Sequence, residues 1–472
     1  MRLPDAEKQV RSFLQGLPGD LGRRCPVLPY QAEGIAFGLH RGGRALLGDE
    51  MGLGKTMQAL LLAAQYEAEW PVLVITPSSL RFVWRDQAAQ WLPHMVGEDG
   101  HLVHIARNCK DRVPLDARIV VCTYDMIRRS AALRSRADGR NYLVVVVDES
   151  QSIKEAKSQR TKAVVGLCKA ARRALLLSGT PALNRATELY TQLEALLPGE
   201  MPCFTQFAER YCVKEAKSFG KRTVERWGGA RRSQELSMLL RGSVMVRRLK
   251  RDVLDQLPPK VRMRVPLDPE KMDQELLREV ERRVKRLGHF DEATDLGATA
   301  ELFRMTAEAK LGAVLDYVEH LLQLRTKFLL FGHHQGTLDA AERRLRELGA
   351  ASVRIDGHTA PSLRPGFVQR FQEDDSVRVA LLSITAAGTG LTLTAAQTVV
   401  FAELFWVPGQ MQQAEDRAHR IGQRDSVTVQ YLVAGGTLDD CLFRALEQKT
   451  MSTSAFLDGR QRGLAAAKSS PE

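Results

Sequence analysis

The sequence predicts an α/β protein made of two parallel-sheet lobes with helical insertions between them. Three observations carry this reading. Short apolar runs at 45–47, 72–76, 119–122, 143–147 and 174–177 alternate with helix-compatible segments, the pattern of a parallel sheet covered on both faces. A second alternation begins near Lys327, with strands expected at 328–331, 353–355, 379–382, 398–401 and 427–432. Between the first strand and the first long helix stands Gly-Asp-Glu-Met-Gly-Leu-Gly-Lys-Thr, residues 48–56. Strand, glycine-rich turn and helix in that order let backbone N–H groups and a helix dipole converge on an anion.

Composition sets the bounds. A chain of 472 residues has room for about two to four domains. With 44% apolar and 26% charged residues it has the make-up of an ordinary globular protein. No apolar run reaches the roughly 20 residues of a membrane span, and residues 1–15 lack the apolar centre of a signal peptide. Membrane partners are not expected. A surplus of 68 basic over 56 acidic residues, net +12, favours a polyanionic partner. The seven cysteines include no C-x-x-C pair, which argues for a reducing compartment and against a zinc site or a disulfide framework.

Along the chain, residues 1–27 form a polar lead-in with an uncertain helix, and a helix is expected from about 28 to 40. Gln31 lies in it, with an amide that can both donate to and accept from an adenine edge. In the glycine-rich turn, Gly48, Asp49, Glu50, Met51, Gly52, Leu53, Gly54, Lys55 and Thr56 are the candidate nucleotide contacts. Lys55 suits the β- and γ-phosphates, and the Thr56 hydroxyl suits Mg²⁺. Asp49 occupies a place where the usual G-x-x-x-x-G-K-[ST] pattern has glycine.

The strands that follow end in polar residues: Thr76-Pro77-Ser78, Thr123-Tyr124-Asp125, Asp148-Glu149-Ser150-Gln151 and Ser178-Gly179-Thr180. In open parallel sheets ligands bind beyond the carboxyl ends of strands, so four such endings point to one site. Asp148 and Glu149 emerge from four valines. Beside a phosphate turn, Asp148 is placed to hold Mg²⁺ and Glu149 to orient the attacking water. Residues 188–260 read as helical, with interspersed aromatics and the basic run Arg247-Arg248-Leu249-Lys250-Arg251. Arg247, Arg248 and Lys250 are candidate DNA contacts there, a solvated helix face being the alternative. Leu257-Pro258-Pro259 reads as a linker, and residues 270–288 as a highly charged helix. The second half has no phosphate turn of its own. It carries a Ser-Ile-Thr-Ala-Ala-Gly-Thr-Gly stretch ending at Gly390, a further nucleotide-contact candidate. Arg417 and Arg420, three apart, would share a helix face and suit the spread charge of a γ-phosphate in flight.

Taken in order, LPYQ, GDEMGLGKT, DESQ, LLSGTP, IDGHT, SITAAGTGLTL and QAEDRAHRIGQ resemble the motif series of the Swi/Snf family, superfamily-two helicase-like ATPases. The resemblance runs from about 28 to 433. The stretches WPVLVITPSSLRFVW, LLLSGTPALNRATELYTQL and VVFAELFWVPGQMQQAEDR most resemble its annealing-helicase (HARP-related, SMARCA-like) branch. The family's phosphate turn itself carries the aspartate seen at Asp49.

That resemblance implies two RecA-like lobes of a P-loop NTPase, at 28–187 and 321–435, with helical insertions and linker at 188–320. A C-terminal helix and disordered tail would fill 436–472. ATP and Mg²⁺ would be the cofactors. Gln31 would contact adenine, and Asp148 and Glu149 the metal and the water. Ser178, Gly179 and Thr180 would couple hydrolysis to motion, Ser78 would meet DNA, and Arg417 and Arg420 would be arginine fingers. Gln151 stands where the family has histidine, which implies tuned coupling with hydrolysis retained. The implied activity is ATP-dependent translocation on double-stranded DNA, reannealing or remodelling branched DNA such as stalled forks. Remodelling of nucleosomes or other protein–DNA complexes is the alternative, and a catalytically silent DNA-binding scaffold or an RNA helicase fits less well. With about 27 residues before the first motif, a bare motor is expected, targeted by separate chains such as single-strand-binding or replication proteins. The location would be nuclear in a eukaryote, and cytoplasm or nucleoid otherwise.

Overall fold

The structure, a computed structural model, describes all residues except 1, 17–26, 220–221, 255, 288–295, 361, 386–390, 462, 464–466 and 469–472. Two compact units divide the chain. The first comprises Met1–Glu215, Glu225–Asp255 and Ser452–Arg460, and the second Ala216–Val224, Gln256–Met451 and Gln461–Glu472.

The first unit holds a seven-stranded sheet. Its strands are β1 (Arg44–Leu47), β2 (Val72–Thr76), β3 (Val103–Ile105), β4 (Ile119–Thr123), β5 (Val144–Asp148) and β6 (Arg173–Leu177), with a short seventh at Met245–Val246. A separate two-stranded sheet pairs β7 (Cys212–Phe219) with β8 (Arg222–Ala230), so Met245–Val246 is β9. The order across the large sheet is β3-β4-β2-β5-β6-β1-β9, and all its pairings are parallel. Central strands such as β5 are buried along their whole length, which is why they read as unbroken valine and leucine. Side chains alternate between the two faces. Leu46, Leu73, Val145 and Leu176 enter one apolar cluster, and Leu47, Val74, Val146 and Leu177 the other.

The second unit repeats the plan. It contains β10 (Lys260–Pro266), β11 (Phe328–Gly332), β12 (Ala351–Ile355), β13 (Val377–Ser383), β14 (Thr398–Phe401), β15 (Val427–Val433) and β16 (Ala467–Lys468). They form a second seven-stranded sheet in the order β12-β13-β11-β14-β15-β10-β16, again parallel throughout.

Several expectations need correction. The segment 188–260, read as helical, contains the β7–β8 pair and β9, and β10 directly follows the Pro258-Pro259 step. Aromatic and basic residues there mask the period-two signal that would mark strands. The polar lead-in contains a definite helix, Leu3–Gln15, which buries Ala6 and Val10. The final helix runs Leu438–Asp458; of the tail expected to be disordered, Ala467–Lys468 pairs beside β10, and the rest of 465–472 lies outside the described residues. No helix among the described residues is long and apolar enough to cross a membrane.

Candidate active site

Strand register builds the site. Leu47 and Asp148 both lie opposite Leu177, so Gly48, Glu149 and Ser178 leave the sheet side by side. Thr76 and Thr123 end the adjoining strands in register with each other.

Beyond β1 the glycine-rich turn is held from one side by the chain after β9. Gly48 N donates to Val246 O at 2.8 Å and Glu50 N to Arg248 O at 2.9 Å. Gly52 and Gly54 have φ of 85° and 78°, a region that glycine enters without a Cβ penalty. A Cβ on Gly54 would also stand 2.5 Å from Gln31 Nε2. Gly54 is the N-cap of the helix Lys55–Ala64, and no side chain caps that end. An uncapped first turn presents orphan N–H groups and the positive end of the helix dipole. Lys55 Nζ donates to Asp49 O at 2.8 Å and Glu50 O at 3.2 Å. Burial pushes the Lys55 pKa down, against the pull of Glu149, Asp49 and Asp148.

Asp148 closes β5 with a fully engaged inner oxygen. Its Oδ2 accepts from Trp84 Nε1 at 2.9 Å and from Thr76 Oγ1 at 3.1 Å, while Oδ1 accepts from Glu149 N at 3.0 Å. Burial, and then the charge of Glu149, push the Asp148 carboxyl up, against those two hydrogen bonds and Lys55. Glu149 is left-handed at φ 53° and ψ 53°, a conformation that costs a non-glycine residue on the order of 1–3 kcal/mol and clusters at functional sites. Tyr124 OH donates to the carbonyls of Asp148 and Glu149 and so holds this bend. Gln151 Nε2 donates to Glu149 Oε2 at 2.6 Å, and Ser178 Oγ donates to Gln151 Oε1 at 2.6 Å. Thr180 N then donates to Ser178 Oγ at 3.1 Å. Gln151 therefore bridges the carboxylate that could orient water and the loop after β6.

Gln31 lies beside the turn. Its Oε1 accepts from Leu28 N at 2.9 Å, and its Nε2 donates to Leu53 O at 3.3 Å. Ser78 is exposed just past β2. The basic run departs from its expected place. Arg247, Arg248 and Lys250 were candidates for a nucleic-acid groove or a solvated helix face, yet all three pack against the phosphate turn. Arg247 Nη1 donates to Gly48 O at 2.6 Å and Gly179 O at 3.0 Å, and its Nε to Asp458 Oδ1 at 2.6 Å. Arg248 pairs with Asp49 at 3.0 Å. Lys250 is 2% exposed, and its N–H donates to Glu50 Oε2 at 2.8 Å. Edge pairing of β9 with β1 brings the run there, a long-range contact that local charge pattern does not encode.

In the second unit Arg417 and Arg420 do come together, by another route than the expected helix face. The helix Pro408–Glu415 ends before them. They lie in the turn that follows, where both Nη1 atoms donate to Leu391 O at 3.4 Å. Arg417 is 2% exposed. Gly390 lies outside the described residues.

Sequence reasoning missed Trp84 and Gln58. Gln58 is fully buried on a helix that is otherwise apolar after Thr56, and its Nε2 donates to Asp49 Oδ2 at 3.0 Å and to Leu53 O at 3.3 Å. A lone amide among Met57, Ala59, Leu60 and Leu61 is the signal that would have found it. Trp84 leaves no comparable trace, because a tryptophan on a core-facing helix is ordinary.

The residues fit a magnesium nucleotide. An uncapped helix N-terminus, a lysine and a hydroxyl at its first two positions, and a carboxylate with one oxygen fixed inward form a matching donor set. Residues 30–321 match the model of the SNF2-related domain, and residues 310–422 that of the helicase conserved C-terminal domain. The mouse DNA annealing helicase and endonuclease ZRANB3 is 43% identical over 97% of this chain and 43% of its own length. The Xenopus tropicalis SWI/SNF-related matrix-associated actin-dependent regulator of chromatin subfamily A-like protein 1 is 40% identical over 90% of this chain and 44% of its own. This chain thus spans less than half the length of these relatives. The Sulfolobus solfataricus SWI2/SNF2 ATPase core in complex with dsDNA aligns over 92% of this chain and 94% of that one, at 23% identity and a TM-score of 0.43.

Proposed function

The chain belongs to the SNF2-related family of helicase-like ATPases, and from that membership we propose that it is an ATP-dependent translocase on double-stranded DNA that reanneals or remodels branched DNA. The observation that carries this reading is the convergence of the phosphate turn, Asp148, Glu149, Gln151 and Ser178 at one edge of one parallel sheet. Its specialisation towards branched DNA rests on likeness to proteins named as DNA annealing helicases.

ATP with Mg²⁺ supplies the phosphoanhydride to be cleaved and a counter-charge for its oxygens. Lys55, the N–H groups of the first helical turn and the Thr56 hydroxyl bind the phosphates and metal. The Lys55 ammonium, satisfied by two carbonyls of its own turn, exchanges these for phosphate oxygens. Asp148 would hold the metal, one of its oxygens being fixed by Trp84 and Thr76. Glu149 orients the water, and Gln151 keeps its carboxylate from turning. Gln31 reads adenine while anchoring Leu53. Arg417 and Arg420 are the arginine fingers, and Ser78 meets the DNA backbone. Separate targeting chains, such as single-strand-binding or replication proteins, complete the proposal.

Steady-state ATP hydrolysis without DNA and with single strand, blunt duplex and fork, beside Lys55→Ala, tests it. Strong stimulation by duplex or fork, lost in the variant, supports the motor. Greater stimulation by nucleosomes than by forked DNA would favour a chromatin remodeller, and hydrolysis on no substrate would sink the reading.

A further inference from the structure

A short segment just after the Ser178-Gly179-Thr180 loop, to which no role has been given, puts three buried polar side chains onto the two loops of the hydrolytic site. It consists of the turn Ala186–Leu189 and the helix Tyr190–Leu196. Leu189, Leu193, Ala195 and Leu196 face the apolar cluster, so this is a core helix by position. Yet Glu188, Thr191 and Gln192 are 8%, 2% and 0% exposed. Buried polar groups cost stability unless saturated, and each of these is saturated by the same two loops. Ser150 Oγ donates to Gln192 Oε1 at 2.8 Å, and Gln192 Nε2 donates to Pro181 O at 2.6 Å and to Glu188 O at 3.2 Å. Thr191 Oγ1 donates to Ile153 O at 2.6 Å. Glu188 Oε2 accepts from Leu183 N at 2.6 Å and Asn184 N at 3.1 Å.

We infer that Gln192 is a positioning residue that locks the loop of Glu149 to the loop of Ser178, so that stimulation of hydrolysis by DNA passes through its amide. The inference rests on the proposed ATPase reading. Gln151 makes the inner bridge, from Glu149 to Ser178. Gln192 makes an outer one, from the residue after Glu149 to the residue after Thr180. An amide suits the task because it accepts from one loop and donates to the other at once. Leucine would fill the same space and sever both links. With two bridges the loops move together. With the inner bridge alone, the chain at Ser150 can yield as Ser178 pulls on Gln151, and less of the displacement reaches the water-orienting carboxylate.

The test uses the full chain, with Ser150→Ala, Gln192→Leu and the double variant beside wild type. ATP turnover is measured with and without duplex DNA, together with the KM for ATP. Gln192→Leu is expected to lower the ratio of DNA-stimulated to unstimulated turnover roughly tenfold, a typical coupling magnitude, with KM within about twofold of wild type. The double variant is expected to be no worse than the larger single change, as for two groups acting through one bond. A ratio unchanged in Gln192→Leu overturns the inference, as does an equal fall in both turnovers or multiplicative losses in the double variant. Should Gln192→Leu fail to fold, Ser150→Ala, which removes only a hydroxyl, decides by the same ratio. A wild-type chain without DNA stimulation overturns the proposed function itself and the coupling with it. A stimulated wild type beside an equally stimulated variant overturns the coupling alone.

Discussion

Arg248 and Asp49 form an ion pair, Nη1 to Oδ2 at 3.0 Å, with the carboxylate fully buried at the phosphate turn and the guanidinium largely so. Asp49 is fully buried, and Arg248 N donates to its other oxygen at 2.9 Å. The aspartate that displaces a glycine from the usual turn pattern is thus an anchor, pulling the turn onto the strand beside it.

Removing the arginine side chain leaves that carboxylate buried with neutral donors only, Gln58 Nε2 and the Arg248 N–H. Breaking a buried pair from one side costs about 3–5 kcal/mol, so Arg248→Met is expected to lower unfolding free energy by roughly that amount in denaturant titration. The double change Asp49→Asn with Arg248→Met should recover much of it, since no charge is then left buried. A loss of under about 1 kcal/mol, the range of an exposed pair, would contradict the anchoring role.

The same pair shows what the sequence discloses and what it withholds. Strands such as β2 and β14 were legible to the residue, because doubly buried parallel strands read as bare apolar runs. The phosphate turn and the Asp148-Glu149 pair were legible because their chemistry needs fixed residue types at fixed spacing. Arg247, Arg248 and Lys250 were not, because β9 reaches the edge of β1 across about 200 residues of chain and charge alone does not tell a DNA groove from an internal clamp. Trp84 was hidden for a related reason: its indole N–H meets Asp148 64 residues away.

Trp84→Phe keeps an aromatic ring, though a smaller one, and removes that donor. A hydrogen bond to a charged group is worth about 1.5–3 kcal/mol, and here it holds Oδ2 inward, so that in the proposed site Oδ1, which also accepts from Glu149 N, would be the oxygen offered to metal. The Mg²⁺ concentration giving half-maximal ATP turnover is expected to rise about tenfold, as 1.4 kcal/mol would give. Titrating Mg²⁺ at fixed ATP checks it, and an unchanged midpoint would show that Trp84 only packs.

Gly179 lies against the phosphate turn so closely that a Cβ would stand 2.4 Å from Met51 Cγ and 3.2 Å from Met51 N. Gly179→Ala must therefore displace the Met51 side chain and crowd the backbone of the turn by a few tenths of an ångström. Turnover is expected to fall by about 100-fold, the loss that an ångström of misplacement brings, while the unfolding midpoint changes little. Wild-type turnover in the variant would mean that the two loops need not touch during hydrolysis.

Acid stability should report on the second unit through Glu415. This carboxylate is fully buried, bonded to Arg262 at 2.7 Å and Lys260 at 2.8 Å, with Tyr431 OH donating to it. Burial alone would raise its pKa, but Arg262 and then Lys260 outweigh that and hold it at about 2. A carboxylate depressed in the folded state stabilises above its unfolded value, near 4.3, and loses that contribution as pH falls towards 2. The gap amounts to roughly 3 kcal/mol at 1.36 kcal/mol per unit. Unfolding free energy from denaturant titration should therefore drop through the window between about pH 4.3 and 2. Glu415→Gln should be less stable at pH 7 and should lose this share of the acid dependence. An identical pH slope in wild type and variant would mean that other carboxylates carry the acid sensitivity.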